Sequence, residues 1–314
     1  MAMNSLLIGD NPFIGVSHLS QLAARERVEK LRLEQIIKVI EKSISCGASG
    51  FTFSTHPTNF QILKGLKEAK ALDDGFDLFP VLPYAEGYVR VSNEKGTIGL
   101  VREVLANLPL SGKAKIIVEG GLSAVRFDPV RMLKAYVDME LESYVSMKPG
   151  PSNLRVVLLH EIVTDLAISL KIPQLVDSFM QHVSDKYGAK PGFVTRNFVR
   201  FADFFRDNDL SLKEVTIMTP LNKIGFQMNP SKNACEACLS HLTEGEVIAI
   251  SILAAGYIGL EEAAEYIQGL PRVAGVAVGV SSTEHAEKTF TKLRASFVDR
   301  KNQTKQIRTM PHPT

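Results

Sequence analysis

Short apolar runs rich in β-branched residues alternate with amphipathic stretches along most of the chain. The pattern is clearest in the C-terminal third, where apolar runs at 214–220, 246–256 and 273–282 are separated by helical patterns at 260–268 and 283–293. Apolar strands that alternate with helices are typical of a parallel sheet whose faces are covered by helices. The pattern therefore predicts an α/β fold.

Nine segments have the composition of strands, and helical patterns lie between most of them. The strand candidates are 5–9, 50–54, 76–82, 114–119, 154–160, 192–195, 215–219, 247–253 and 276–280. Eight strands would close a (β/α)8 TIM barrel in a single domain, which leaves one candidate too many. Pro80 and Pro83 suit a central strand poorly, so we expect 76–82 to be the segment that lies outside the barrel.

The alternation runs without a linker-like change of composition, so we expect one TIM-barrel domain over residues 1–298. The polar, proline-bearing segment 299–314 is expected to be a disordered tail. A doubly wound open sheet is the alternative architecture. No Gly-x-Gly-x-x-Gly opens a helix after an early strand, which disfavours a dinucleotide-binding Rossmann domain.

Composition and charge narrow the class of partner. The 314 residues include 36 basic and 34 acidic side chains, and this balance gives no electrostatic reason to expect nucleic acid or an anionic membrane as a partner. No apolar run approaches the roughly 20 residues that span a bilayer, and the N-terminus lacks the basic region of a signal peptide. Three cysteines without an export signal are typical of a reducing compartment. We expect a cytoplasmic protein that binds a small molecule, in an oligomeric state that the sequence does not predict.

Polar side chains follow seven of the candidate strands, and in a TIM barrel the active site lies at the carboxyl ends of the strands. The candidates for proton transfer are His56, Glu119, His160 and Lys223. The candidates for binding the substrate are Asp10, Asn11, Arg196, Asn197 and Asn222. Imidazoles and carboxylates act as acids and bases, and a lysine binds anions or, when desolvated, acts as a nucleophile. The joint pattern predicts acid/base chemistry, although each residue taken alone is also an ordinary loop residue.

The end of the last strand candidate has the pattern of an anion site. Gly279 leads through Val280 into a turn of small hydroxyl residues that opens a helix. Backbone N–H groups at a helix N-terminus bind phosphate without a basic side chain. We therefore expect Gly279, Ser281, Ser282 and Thr283 to bind a cofactor or a phosphate-bearing ligand; an ordinary serine N-cap is the alternative.

Two sets of residues resemble metal ligands. His56, His160 and Glu119 could form a set of two histidines and one carboxylate, and the segment 232–242 contains Cys-x2-Cys-x2-His. A closed zinc site needs four ligands, and that segment also has the pattern of a helix with packed cysteines. A divalent metal is therefore less favoured, and no metal ligand is assigned.

The chain resembles the aldo-keto reductase superfamily, most clearly in its C-terminal half. Segment 187–210 is similar to the family's strand that ends in a Ser-Asn pair, 247–256 to its seventh strand, and 279–290 to its cofactor-phosphate loop and helix. Segment 154–160 is similar to the strand that ends in the family's catalytic histidine, a position held here by His160. The resemblance implies a barrel and NADPH as a possible cofactor.

The same resemblance implies a rebuilt catalytic set, because the family uses Asp, Tyr, Lys and His. Segment 53–60 is similar to the family's Asp-x-Ala-x-x-Tyr stretch, with Ser54 or a neighbour at the aspartate and Phe60 at the tyrosine. The strand that bears the family's lysine ends here in Glu119, and the helix after Ser281 lacks the arginine that many members use for the extra phosphate of the cofactor.

Four hypotheses for the function follow. The first is an enzyme that acts on a small, phosphate-bearing ligand by general acid/base chemistry. The second is an NADPH-dependent oxidoreductase of aldo-keto reductase type in which His56 replaces the missing tyrosine. The third is a divalent-metal hydrolase or lyase, and the fourth is a barrel that binds a ligand without catalysis. The first is preferred, and the reaction class and the cofactor are left open.

Overall fold

Eight parallel strands close into a barrel in the order in which they occur along the chain. The computed structural model describes residues 5–15, 33–71, 75–83, 129–145 and 154–309. The strands are β1 Ser5–Gly9, β2 Gly50–Ser54, β3 Asp77–Leu82, β4 Val156–Leu159, β5 Lys190–Val194, β6 Thr216–Pro220, β7 Glu246–Ile250 and β8 Val273–Gly279. The predicted (β/α)8 TIM barrel is confirmed.

Ten α-helices in these ranges alternate with the strands and cover the outside of the barrel. They are α1 Asn11–Ile14, α2 Leu33–Ser45, α3 Pro57–Glu68, α4 Pro129–Val145, α5 Glu161–Ser169, α6 Pro173–Tyr187, α7 Phe198–Asp207, α8 Lys232–His241, α9 Leu260–Gly269 and α10 Thr283–Thr309, with a short 3-10 turn at Ala254–Gly256. Within these ranges, no helix combines the length and the apolar character that crossing a membrane requires.

Side chains alternate along each strand, so one set faces the barrel axis and the other faces the helices. The axial cluster is Leu7, Phe79, Val156, Leu158, Val194, Met218, Ile248 and Ala277. A larger cluster fills the layer between strands and helices. There Phe193 of β5 meets Phe201 and Phe205 of α7, with ring centroids 5.4 and 5.7 Å apart. Because side chains fill the axis, the polar residues at the strand ends form the floor of a mouth.

Glycines allow close approach between neighbouring strands. A Cβ placed on Gly50 would lie 2.5 Å from the carbonyl oxygen of Asp77 in β3. A Cβ on Gly275 would lie 2.6 Å from the carbonyl oxygen of Ser5 in β1. Real Cβ atoms do not come so close to a backbone oxygen, so these strand pairs depend on the missing side chains.

The expectation that 76–82 lies outside the barrel was wrong, because β3 pairs with β2 from Asp77 to Val81. The backbone carbonyls of Leu78 and Leu82 accept hydrogen bonds from the backbone N–H groups of Arg155 and His160, which lie on the side of β4. Residues two apart in a strand point their backbone N–H and carbonyl groups to the same side. Pro80 is two residues from Leu78 and from Leu82, so the N–H that it lacks would have faced β4. Pairing with β4 is interrupted there, between Leu78↔Leu154 and Val81↔Leu158. A proline is tolerated in a central strand where the ladder already lacks a bond.

Two other predicted boundaries bear on the fold. The strand candidate 114–119, with Glu119, lies outside the described residues. The helix α10 is assigned as far as Thr309 and residues 310–314 are outside the described part, so the disorder expected for 299–314 stays a prediction. The single-domain boundary at residue 298 stays a prediction.

Candidate functional site

Polar side chains at the carboxyl end of the barrel fall into two hydrogen-bonded groups. One group joins the ends of β1 and β2 around Asp10. The other joins the ends of β4 and β5 around Asp165 and Arg196. The remaining predicted residues, Asn222, Lys223 and Ser281–Thr283, follow β6 and β8 and make separate contacts.

Asp10 follows β1 directly and is buried. Its Oδ2 accepts from the Ser54 backbone N–H at 2.8 Å, from the Ser54 hydroxyl at 2.9 Å and from Asn59 Nδ2 at 2.7 Å. Burial raises the pKa of this carboxyl, and the bonds from Ser54 and Asn59 oppose that shift in part. Asn11, the next residue, is exposed at the start of α1. Asp10, which the sequence predicts as a substrate-binding residue, is thus a buried group, and its role in binding stays a prediction.

Asn59 was missed by the sequence analysis. It lies five residues after Ser54, which is the spacing between Asp and Tyr in the family's Asp-x-Ala-x-x-Tyr stretch. If Ser54 stands at the aspartate, this spacing places the tyrosine at Asn59 and not at Phe60, whose ring packs edge-on against Tyr144, 6.0 Å away, in the layer under the helices. Asn59 is fully buried, and its Oδ1 has no hydrogen-bond partner among the residues that the structure describes.

His56 is the N-cap of α3. Its Nδ1 accepts from the Thr58 N–H at 3.0 Å, so in the neutral ring the proton is on Nε2. Its backbone carbonyl accepts from the hydroxyl of Tyr144 at 3.2 Å, which fastens α4 to this turn. Burial raises the pKa of Tyr144, so this hydroxyl stays protonated.

His160 lies at the end of β4, on the axial side. It follows the axial residue Leu158 by two positions, and its backbone N–H continues the sheet by donating to the Leu82 carbonyl at 2.6 Å. Its Nδ1 accepts from the Ile162 N–H at 3.2 Å and caps α5, so the neutral ring carries its proton on Nε2. Burial lowers the pKa of His160, as does the charge of Arg196, while Glu161 opposes the shift. The ring is a neutral hydrogen-bond donor at the mouth.

Arg196 follows β5 and forms an ion pair with Glu161, with Nη2 and Oε1 2.5 Å apart. Asp165 of α5 fixes the same loop. It accepts from the Thr195 hydroxyl at 2.5 Å and from Asn197 Nδ2 at 2.8 Å, with a longer bond of 3.3 Å from the Arg196 N–H. The predicted ligands Arg196 and Asn197 are therefore held by two acidic residues of α5 that the sequence analysis did not single out.

Asn222 and Lys223 are both engaged in local contacts. Asn222 is fully buried, and its amide bonds both the carbonyl and the N–H of Phe226, at 2.8 and 2.7 Å. Lys223 pairs with Glu262 of α9 at 2.7 Å, and this carboxylate raises the pKa of the amine. A raised pKa disfavours the neutral amine that a nucleophile requires, so the contacts favour bracing of the β6 loop over catalysis.

The predicted anion site at the start of α10 contains its own carboxylate. The Ser282 hydroxyl accepts from the His285 N–H at 3.1 Å as an N-cap, and the Thr283 hydroxyl donates to Glu284 at 3.1 Å. The backbone N–H of Glu284 and the hydroxyls of Ser282 and Thr283 lower the pKa of the Glu284 carboxyl. A Cβ on Gly279 would lie 2.8 Å from the Pro12 ring, so this glycine serves the contact with α1.

No group of three metal-ligating side chains forms among the residues that the structure describes. In α8, Cys235 is buried and its thiol donates to the Asn229 carbonyl at 3.4 Å. Burial raises the pKa of the Cys235 and Cys238 thiols to about 11. His241 bonds the Ala237 carbonyl of its own helix at 2.7 Å. These contacts are typical of cysteines packed in a core. The predicted metal set of His56, His160 and Glu119 includes one residue, Glu119, that lies outside the described part of the chain.

The barrel is similar to solved aldo-keto reductase structures. A Pseudomonas aeruginosa protein assigned by its description to these enzymes superposes with a TM-score of 0.59 at 11% identity, over 94% of this chain and 91% of that chain. An aldo-keto reductase from Bacillus halodurans in its holo form gives 0.52 at 12% identity, over 96% and 95%. A protein described as a 2,5-diketo-D-gluconic acid reductase B gives 0.51 at 9% identity, over 94% and 86%.

No protein-family model and no curated protein sequence matches this chain. At identities this low the likeness establishes the fold, which is the barrel of the aldo-keto reductases. The predicted resemblance to that superfamily is confirmed in this sense. The third strand of the closed barrel is β3, which ends at Leu82, and the segment 114–119 that ends in Glu119 lies outside the described residues.

Proposed function

We propose that this chain is an enzyme of aldo-keto reductase type, an oxidoreductase that takes a small carbonyl compound at the carboxyl end of the barrel. The observation that carries the proposal is His160, a half-buried imidazole with its proton on Nε2 and a lowered pKa, on the axial side of β4. Carbonyl reduction places negative charge on the substrate oxygen, and a fixed neutral N–H donor stabilises that charge. The shared fold supports the reaction class.

A nicotinamide dinucleotide is the cofactor that this reaction requires. The family resemblance implies that the first turn of α10 receives a cofactor phosphate, and Ser281 and Ser282 offer hydroxyl groups there. The Glu284 carboxylate occupies the same turn, and that first turn contains no arginine for an extra phosphate. These residues fit a dinucleotide without the extra phosphate, NADH, better than NADPH. The cofactor would supply the hydride, and the chain would supply the His160 donor and the Arg196 cation.

A second candidate is acid/base chemistry on a phosphate-bearing ligand without a nicotinamide. The observation that favours it is the mouth itself, where Asn59 replaces the tyrosine hydroxyl and Arg196 places a guanidinium next to His160. A guanidinium binds phosphate or carboxylate through paired N–H donors. A phosphate or carboxylate group of the ligand would have to compete with Glu161 for the guanidinium of Arg196.

A thermal-shift titration with NADH, NADPH and inorganic phosphate separates the two candidates. A ligand that binds the native state raises the unfolding midpoint in proportion to the logarithm of its concentration. A rise with NADH at micromolar concentration, larger than with NADPH, is expected for the oxidoreductase. A rise with phosphate alone would support the second candidate instead, and a flat response to all three would contradict both.

Turnover then tests the role of His160. Oxidation of the reduced nicotinamide is followed with a panel of aldehydes and ketones for the wild type, His160→Ala, His160→Gln and His241→Ala. Loss of one oxyanion donor lowers turnover by about 100- to 1,000-fold, and glutamine, which retains an N–H donor, should restore part of it. His241→Ala is the matched control, because His241 contacts only its own helix among the contacts described. Equal turnover of His160→Ala and the control would contradict the proposed role.

The other two alternatives stay predictions. Elemental analysis of the purified protein tests the metal-dependent hydrolase or lyase. The non-catalytic barrel predicts that His56→Ala and His160→Ala change no measurable activity.

A further inference from the structure

A fully buried amide oxygen without a partner lies beside a buried carboxyl group at the ends of β1 and β2. Asn59 Nδ2 donates to Asp10 Oδ2 at 2.7 Å and to the Ser54 carbonyl at 2.9 Å. Both partners are acceptors, so the reverse orientation of the amide would place oxygen against oxygen. The amide orientation is thereby fixed, and Oδ1 is left buried with no donor in the described part of the chain. A buried acceptor without a donor is costly, so a donor is expected at this place.

Asp10 is placed to supply that donor. Its three hydrogen bonds from Ser54 and Asn59 all reach Oδ2, and no ion pair links it to a cation in the described ranges. The carboxyl oxygen that carries a proton would therefore be Oδ1. In a cyclic acid–amide pair, the amide N–H donates to one carboxyl oxygen and the amide oxygen accepts from the O–H of the other, and Asp10 and Asn59 have the groups that such a pair requires. Burial favours the neutral acid, since it disfavours the charged form.

We propose that Asp10 is a neutral carboxylic acid in the folded protein, that its Oδ1–H donates to Asn59 Oδ1, and that this pair holds the proton delivered to a ligand at the mouth. In the delivery step the O–H bond of Asp10 breaks, a new O–H bond forms on a basic oxygen of the ligand, and the electron pair stays on Asp10. The three donors on Oδ2 then stabilise the carboxylate that results.

The use of this proton rests on the proposed function, whereas the protonation of Asp10 does not. In the resemblance to the aldo-keto reductases, Asn59 stands where the proton-donating tyrosine is expected. The pair would move the acid from that side chain to the carboxyl group bonded to it. The ionisable group that faces Asp10 from α4 is Tyr144, whose raised pKa keeps it neutral. Ser54 of β2 and Asn59 of α3 also contact Asp10, and neither side chain titrates. On the other side of β1, Gly279 of β8 lies beside Gly9 and has no side chain that could titrate.

Asp165 provides a matched control within the same barrel. It also accepts from a hydroxyl, a backbone N–H and an asparagine amide, but its bonds are divided between Oδ1 and Oδ2. An asparagine at position 10 keeps one acceptor for the donors and offers N–H to the empty Asn59 Oδ1. An asparagine at position 165 must turn its NH2 group toward donors on one side. The two substitutions are chemically identical and differ in the state of the carboxyl they replace.

The experiment compares the unfolding midpoints of the full-length wild type, Asp10→Asn and Asp165→Asn, and the infrared difference spectrum between the wild type and Asp10→Asn at pH 7. We expect an unchanged or higher midpoint for Asp10→Asn, a lower one for Asp165→Asn, and a carboxylic acid C=O band lost on substitution at position 10. A lost pair of carboxylate bands, or a failure of Asp10→Asn to fold while Asp165→Asn folds, would overturn the proposal.

A measurement on the wild type alone guards against variants that do not fold. Carbon NMR of protein labelled at the aspartate carboxyl groups follows each side chain through a pH titration. One carboxyl that stays protonated above the range in which the others ionise is expected, with Asn59→Leu perturbing that resonance. Ionisation of every aspartate in the ordinary range would refute the neutral acid. A failed nicotinamide titration would leave this result standing, so the two proposals fail separately.

Discussion

Replacing Gly50 by alanine is the sharpest test of how the barrel closes. The backbone conformation of Gly50 is open to alanine, since its φ is not positive, and sequence propensity alone would give a gain of about 0.5 to 1 kcal/mol. The structure reverses this expectation, because the new Cβ would lie 2.5 Å from the Asp77 carbonyl oxygen and 3.0 Å from Leu7 Cδ2. The first contact is with backbone, which can move only if β2 and β3 separate.

Overpacking of this kind costs typically about 1 to 3 kcal/mol, and a backbone contact belongs at the upper end of that range. We therefore expect Gly50→Ala to lower the free energy of unfolding by about 2 to 3 kcal/mol, which is a fall of roughly 3 to 5 °C in the midpoint for a chain of this size. Gly269→Ala at the end of α9 is the matched control, since its Cβ meets nothing within 4 Å. Urea unfolding followed by circular dichroism measures both. A Gly50→Ala protein as stable as the control would refute the argument from strand spacing.

Three further outcomes are expected. Asp138→Ala should destabilise the protein by about 1 to 2 kcal/mol in urea unfolding, because Asp138 of α4 accepts from His182, Lys186 and Tyr187 of α6, each at 2.7 Å; an unchanged midpoint would count against this link. His160 should make the free energy of unfolding depend on pH. Because the pKa of His160 is lowered in the folded protein, the unfolded chain binds a proton more readily than the folded one. Stability is therefore retained above pH 6.5 and falls as the pH drops below it. His160→Gln should flatten that slope, and an identical slope in both proteins would contradict it. Glu284→Gln should strengthen the thermal shift produced by NADPH more than that produced by NADH, because it removes the carboxylate from the first turn of α10; equal gains would show that no extra phosphate binds there.

The β/α alternation was sufficient to predict the barrel, because apolar strands and amphipathic helices leave their period in the sequence. The prediction was wrong for β3, because prolines are usually excluded from central strands. Here the hydrogen-bond ladder between β3 and β4 is already interrupted at the proline. Whether a given strand residue needs its N–H depends on the register of the neighbouring strand. That register is a tertiary property and is not encoded within the segment 77–82.

The polar residues of the mouth were predicted better by position than by role. His160 and Arg196 were selected because they follow strands, and the structure holds both at the carboxyl end. Asn59 and Asp165 were missed because they lie on helices, one turn or more beyond a strand end, where an amide or carboxylate usually faces solvent. The spacing of five residues from Ser54 was a usable signal for Asn59. Nothing in the local sequence marks Asp165 as the acceptor for the loop after β5.

The barrel closes through the pairing of β1 with β8, from Ser5↔Gly275 to Gly9↔Gly279. These strands come from opposite ends of the described chain, so during synthesis β1 cannot pair with β8 until every strand between them has been made. Until then its open edge is a template for pairing with another chain. Asp10 stands at the end of β1, so the side of the mouth between β1 and β8 would be completed only when the last strand arrives.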